Sequence, residues 1–382
     1  YPEGRQDGFP ILEINGNGRL IVSFDEMVFS ERTFYYKIVH CNRNWQKSPL
    51  SEMEYYDGFT ENKITEVNLS ENTVKNYTNY RFEISNKPFK ASGNYAVLIS
   101  GNSDFTRPDA VARFYVLDRN ISIDTKATSK TSVGLNTQYQ QLEIEVNNYG
   151  YNIQNPFSEL NLYVMQNRRT DNMAKDIKPT FTTIDKQTYS NNNNLIFEGG
   201  NEYRRFEFLT HRYNGLNIDG IGFYNPYYHA DLMIDRSRMH TGYRYDQDQD
   251  GRFFVRCSDC NNPDTEADYY IVHFTYASEP LLEGDVYLLG DFVQNQFNET
   301  SRMEYNPQTR QYEKALMLKQ GYYNYQYVLL PHGETKAQTL PTEGDYYQTE
   351  NEYTILVYHR PMGMRYDRLI GKLTLRNTHF VL

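Results

Sequence analysis

Phe34-Tyr35-Tyr36-Lys37-Ile38-Val39-His40 decides the fold class. Phe34, Tyr36, Ile38 and His40 share one face of an extended chain, and Tyr35, Lys37 and Val39 share the other. That is the period of two of a β-strand, in which successive side chains point to opposite sides. Outward from this run the same pattern returns at Tyr95/Val97/Ile99, Phe114/Val116, Leu142/Ile144/Val146 and Leu160/Leu162/Val164. It returns again at Tyr270/Val272/Phe274/Tyr276, Tyr323/Tyr325/Tyr327/Leu329 and Ile355/Val357/His359. No long stretch carries a 3.6-residue period. Turn chemistry separates the runs at Asn15-Gly16-Asn17-Gly18, Asp250-Gly251 and Asn306-Pro307. Short strands spaced by such turns predict an all-β protein of tandem immunoglobulin-like β-sandwich domains.

Composition narrows the functional classes. The 382 residues are enough for two to four domains with cores of their own, so neither a disulfide framework nor a metal is required for stability. Lys and Arg number 39 against 49 Asp and Glu, with no basic run, which argues against a nucleic-acid partner. No stretch reaches the ~20 apolar residues of a spanning helix, so no membrane insertion of its own is expected. There are 36 Tyr and 21 Phe but one Trp, Trp45. Tyrosine suits half-buried strands, its ring lying on the sheet and its hydroxyl in water. The opening Tyr1-Pro2-Glu3-Gly4 lacks an initiator Met, a basic start and an apolar core segment, as a processed N-terminus would.

Three consecutive units are expected. The first, residues 1–118, closes with the strand Ala112–Asp118. The second is a central β domain over 119–278, with Asn191–Asn194 as an internal loop. Tyr276-Ala277-Ser278-Glu279-Pro280 reads as a linker, because Pro280 has no N–H for a sheet ladder, and 279–382 forms the third unit.

The motifs that carry chemistry elsewhere are incomplete here. Asp246-Gln-Asp248-Gln-Asp250-Gly251 opens like a calcium loop, but its twelfth position is Cys257, where a bidentate Glu is needed. The default reading is an acidic hairpin turn, with a weak calcium site as the alternative. Cys257-Ser-Asp-Cys260 has redox spacing, yet strands flank it and no second pair exists for zinc. A local disulfide or two inert thiols remain. His40 and His273 alternate with strand residues and read as packed or edge histidines. No His-Glu-x-x-His, Gly-x-Ser-x-Gly or phosphate-cradling loop occurs, so no catalytic, cofactor-binding or metal-ligating residues are assigned and no enzyme activity is expected. The densest aromatic loop is Gly222-Phe-Tyr-Asn-Pro-Tyr-Tyr-His229. Phe223, Tyr224, Tyr227 and Tyr228 are either partner contacts, since Tyr gives large contact area at low entropy cost, or caps on a sandwich core.

Two resemblances follow from longer strings. Val286-Tyr-Leu-Leu-Gly-Asp-Phe292 with Leu318-Lys-Gln-Gly-Tyr-Tyr-Asn-Tyr-Gln-Tyr-Val328 resembles early-set β-sandwiches, among them glycogen-binding modules. An envelope carbohydrate-binding protein is therefore the alternative function, with Tyr or Phe replacing the absent stacking tryptophans. The more specific string runs from Phe34 through His40-Cys-Asn-Arg-Asn-Trp45 to Glu54-Tyr-Tyr-Asp-Gly-Phe59, then Asn76-Tyr-Thr-Asn-Tyr80 and Ser92-Gly-Asn-Tyr95. It resembles the N-terminal domain of type IX secretion system plug proteins of Bacteroidota. The resemblance implies a non-enzymatic protein in the periplasm, on the periplasmic side of the outer membrane. Its partner would be the large outer-membrane β-barrel translocon, whose opening it seals when no folded substrate is in transit. Within the motif, Trp45 is expected as the core aromatic of the first sandwich, with Asn42 and Asn44 in its turn.

Overall fold

The structure, a computed structural model, describes residues 8–377. Strands account for 46% of it and helix for 5%, so sheets can be covered only by other sheets. Every α-helix among the described residues is a single turn of four residues, as at Glu52–Tyr55. The protein is all-β and built of sandwiches, as the period-two pattern predicts.

In the first unit, strands Ile11–Glu13, Ala110–Leu117, Gly93–Ser100, Tyr35–Cys41 and Glu61–Lys63 lie side by side in that order. A three-stranded sheet of Arg19–Glu26, Thr78–Ser85 and Glu66–Leu69 belongs to the same unit. Their inward residues, among them Ile38, Tyr80, Phe82, Tyr95, Val97 and Phe114, form one apolar cluster. Tyr35–Cys41 pairs antiparallel with Gly93–Ser100, setting His40 opposite Tyr95.

Beyond residue 118 the pairing departs from the consecutive units expected. Leu160–Gln166 pairs along its whole length with Asn351–His359, nearly 200 residues away, Leu160 facing His359 and Gln166 facing Tyr353. Arg368–Asn377 extends the same sheet. The core of this unit mixes Leu142, Ile144 and Leu162 with Tyr353, Ile355 and Ile370. The third unit is inserted between the two halves. Its larger sheet runs Ile218–Tyr224, Tyr227–Leu232, Tyr269–Ala277, Gln311–Lys319, Glu304–Asn306. In its other sheets, Gly321–Pro331 pairs with Arg204–Phe208, Phe253–Val255 and Gly284–Leu289. One cluster, with Phe206, Tyr270, Phe274, Leu288, Tyr323 and Tyr327, fills the space between. No structural break falls at 278/279, because Tyr269–Ala277 and Gln311–Lys319 are ladder partners. Alternation reveals which residues face inward but is silent on which strand covers them, and fully buried strands such as Leu160–Gln166 accept a distant partner as readily as a near one.

Two seams hold the first unit against the others. Phe9, Ile11, Tyr115 and Leu117 pack with Tyr163, Met165, Leu356, Tyr358 and Leu369 of the second. Trp45 joins this seam and not the first core, correcting its expected place. It is half-buried, its ring 5.3 Å from Tyr115 with the Arg113 guanidinium 4.9 Å above it. The cause is local: Trp45 has φ of 66° and closes the turn by donating its N–H to the Asn42 carbonyl, which throws the indole outward over the seam. Arg43 in the same turn reaches Asp367 at 2.8 Å and Asp176 at 2.9 Å. At Gly93 (φ 141°) a Cβ would lie 2.8 Å from His40 Nε2 and 3.0 Å from the Asp367 carbonyl, so only glycine lets the 360–367 loop close here. Against the third unit, Asp25 accepts from Lys319 Nζ and from the Tyr269 hydroxyl, each at 2.7 Å.

Candidate functional site

The aromatic loop is a hairpin tip. Ile218–Tyr224 and Tyr227–Leu232 pair antiparallel, Tyr224 opposite Tyr227 and Phe223 opposite Tyr228, and Asn225-Pro226, joined by a cis peptide bond, makes the two-residue turn. The tip divides its four aromatics. Phe223 and Tyr224 are 53% and 64% exposed. Tyr228 is half-buried and packs on the third core, its ring 5.1 Å from Tyr270 and 5.1 Å from His211. Tyr227 is half-buried. Phe223 meets Tyr228 edge-on at 5.2 Å, so the outward ring is braced by the inward one. The Tyr224 ring folds back over Gly222, where a Cβ would come within 2.9 Å of it.

Behind Tyr224 lies a pair that strand alternation alone does not reveal. His229 Nδ1 and His273 Nε2 are 2.8 Å apart, one donating and the other accepting. The parallel pairing of Tyr227–Leu232 with Tyr269–Ala277 puts the two rings on one face. Burial pushes His273 below its ordinary value, against the pull of nearby Asp231. His273 was legible as a packed or edge residue; its partner needed the register of two strands about 40 residues apart. Next to the pair a groove of about 770 Å³ is lined by Asp231, His273, Thr275, Glu304, Asn306 and Glu313 among others.

The remaining motifs resolve individually. The three aspartates do not converge on a cation. Asp246 pairs with Arg205 at 2.6 Å, while Asp248 accepts from the backbone N–H groups of Tyr203 and Asp250. Among the described residues no three His, Cys, Asp or Glu side chains are grouped to hold a metal. Cys257 and Cys260 are disulfide-bonded, with Cα atoms 5.7 Å apart, and Cys41 is buried and free. His40 is 1% exposed, bonded to Ser48 Oγ at 2.7 Å and the Ser92 carbonyl at 3.2 Å, and burial brings its imidazole down to about 4. Tyr55, in the second half of the same motif, donates to the Ile38 carbonyl at 3.1 Å. The motif's histidine and Tyr55 thus hold the first core, while its turn holds the seam. In the early-set-like segment, Tyr323, Tyr325 and Tyr327 point into the third core at 2% exposure or less and offer no face to a sugar.

The architecture is that of an all-β multi-sandwich protein with exposed hairpin aromatics. Residues 1–118 match the type 9 secretion system plug protein 1st domain. Among solved structures, a hypothetical protein from Parabacteroides merdae ATCC 43184, determined by crystallography at 2.30 Å resolution, superposes with a TM-score of 0.96. It shares 45% identity over 98% of this chain and 95% of its own. No curated protein matches. The chain belongs to the type IX secretion system plug protein family. That is a family of secretion-system components and not a known enzyme family, and it gives the protein a role in type IX secretion at the cell envelope. No helix among the described residues is long and apolar enough to cross a membrane.

Proposed function

We propose that the protein is a non-enzymatic gate that binds the periplasmic opening of the type IX outer-membrane translocon and seals it between transport events. Family membership carries this reading. The build of the molecule supports it: a plug must fill a wide mouth without yielding, and here three sandwiches are tied by an apolar seam and by a buried ionic contact. A reversible seal also needs a contact surface of moderate size and mixed polarity. The hairpin tip, with Phe223 and Tyr224 outward beside the polar groove, has that character.

The test is a leak assay. Proteoliposomes holding the purified translocon are loaded with a large fluorescent dextran, and the chain is added on the periplasmic face. Dextran loss is expected to fall by about tenfold when the chain is present at a concentration well above its dissociation constant. Undiminished loss would overturn the gating reading.

A further inference from the structure

Ile218–Tyr224 lies at the end of its sheet's strand order, with Tyr227–Leu232 on one side and, among the described residues, no strand on the other. Alternate residues of such a strand turn their N–H and C=O groups away from the sheet, where they form a template for another strand. Among the described residues, nothing beyond the hairpin's own ladder is hydrogen-bonded to the backbone of Ile221, Gly222, Phe223 or Tyr224.

Proteins ordinarily blunt such edges with Lys, Pro or other charge. Two other long edge strands among the described residues follow that rule. Ser122–Thr128 carries Asp124 and Lys126, and Arg368–Asn377 carries Arg368, Lys372 and Arg376. Ile218–Tyr224 has no Lys, Arg or Pro. Its one charge, Asp219, sits at the register shift between Ile218 and Gly220, away from the open stretch. Apolar side chains border that stretch. Phe223 and Tyr224 are exposed on it, and at the strand's other end Leu216, just before it, and Met233 and Ile234, just after its hairpin partner, are exposed at 40%, 52% and 57%. The Met233 N–H donates to the Asn217 carbonyl, which ties this second apolar stretch to the start of the edge strand.

An uncharged row of free main-chain groups with apolar side chains around it is complementary to one kind of ligand, an extended chain that brings its own row of N–H and C=O groups. We propose that Ile218–Tyr224 accepts a β-strand from the translocon, extending the six-stranded sheet by one. The inference rests on the reading of the protein as a translocon gate. A closed barrel wall has no free edge, so the added strand comes from an extended segment at the barrel's mouth. Side chains of that strand on one face would meet Phe223 and, on the other, Tyr224.

The experiment is hydrogen–deuterium exchange on the full chain, alone and in complex with the detergent-solubilised translocon. Backbone amides within Ile221–Tyr224 are expected to exchange about tenfold more slowly in the complex. Phe223→Lys and Tyr224→Lys, each at an exposed position, should lower recovery of the barrel on the immobilised chain by about tenfold while leaving the thermal midpoint in place. A complex with unchanged exchange across 218–224 would overturn the strand-pairing proposal and leave the gate reading standing. Failure of the wild-type chain to retain the barrel would overturn both.

Discussion

Glu202 is 1% exposed and holds its carboxyl between the Tyr243 hydroxyl, which donates at 2.6 Å, and the Glu350 N–H at 3.1 Å. Burial, with Glu350 and Asp250 nearby, pushes it up to about 7. A folded-state value above the unfolded one means that the native protein holds a proton which the unfolded chain has released. This contribution is fully present below about pH 4.5 and is lost as pH rises toward 7, so ionised Glu202 works against the fold at neutral pH. Glu202→Gln keeps an acceptor without the charge. Relative to wild type it is expected to be more stable at pH 8 by on the order of 2 kcal/mol, with the difference shrinking toward zero near pH 4.5. Urea titrations of both proteins at several pH values measure that difference; a gap that does not change with pH would refute it. His40 runs the other way. Its value near 4 lies below that of an unfolded histidine, so its contribution is present above about pH 6.5 and lost as pH falls toward 4. An NMR titration of the imidazole should give a midpoint close to 4, and a midpoint above 6 would contradict its burial between Ser48, Ser92 and Tyr95. Residues of this kind were only half legible beforehand. Alternation put His40 on the same face as Ile38, but its hydroxyl partner eight residues on depended on the turn that Asn42 and Trp45 close.

At the scale of elements, existence was more legible than partnership. Each run quoted from the sequence with period two is a strand, because that period is set by the chain itself. Partnership is set by what buries each face, and that is where expectation and structure differ. Leu160–Gln166 is buried at every position, and so is Asn351–His359, so each needs neighbours on both faces and both edges. Neither run carries a mark that names the other. The consequence can be measured on fragments. A fragment of residues 119–278 lacks Asn351–His359 and Arg368–Asn377, which supply Tyr353, Ile355 and Ile370 to its core. It also lacks Gly321–Pro331, the ladder partner of Arg204–Phe208. It is expected to show no dispersed amide spectrum and no cooperative unfolding. Residues 119–198 joined by a short Gly/Ser linker to 351–377 restore both sheets of the central unit and should fold. A cooperative, dispersed 119–278 fragment would mean that the long-range pairing is not needed. In the full chain, Leu162→Ala removes a 0% exposed side chain facing Val357 and should cost about 2–5 kcal/mol in urea unfolding.

For the molecule as a whole, the question is what keeps three sandwiches in one body, as the proposed gate would require. The seam between the first and second units is apolar and adds stability through burial. The contact between the first and third is of another kind. Lys319 and Asp25 are each 8% exposed and 2.7 Å apart; the Lys319 ammonium lies 4.2 Å from the centre of the Tyr77 ring, and the Tyr269 hydroxyl also donates to Asp25. Burial lowers the lysine's value, and the carboxylate opposes that shift. Nearby, Asp268 accepts from the N–H groups of Val74 and Lys75, and the Tyr77 hydroxyl donates to the Ala267 carbonyl at 2.8 Å. A buried pair of this type adds little over apolar packing but is expensive to break on one side, because the surviving charge has no water to turn to. Its expected part is to fix geometry more than to add stability, which the proposed gate would require. Lys319→Met leaves the buried Asp25 carboxylate without its counter-charge, only the Tyr269 hydroxyl and the Asn79 amide still donating to it, and is expected to lower stability by about 3–5 kcal/mol, whereas Asp25→Asn with Lys319→Met removes both charges and should recover most of that loss. The double variant also separates stability from alignment. If the ion pair sets the angle between the first and third units, small-angle scattering of the double variant will show a broader distribution of sizes than wild type although its unfolding midpoint is near normal. An unchanged scattering profile would assign the alignment to the Asp268 and Tyr77 contacts instead.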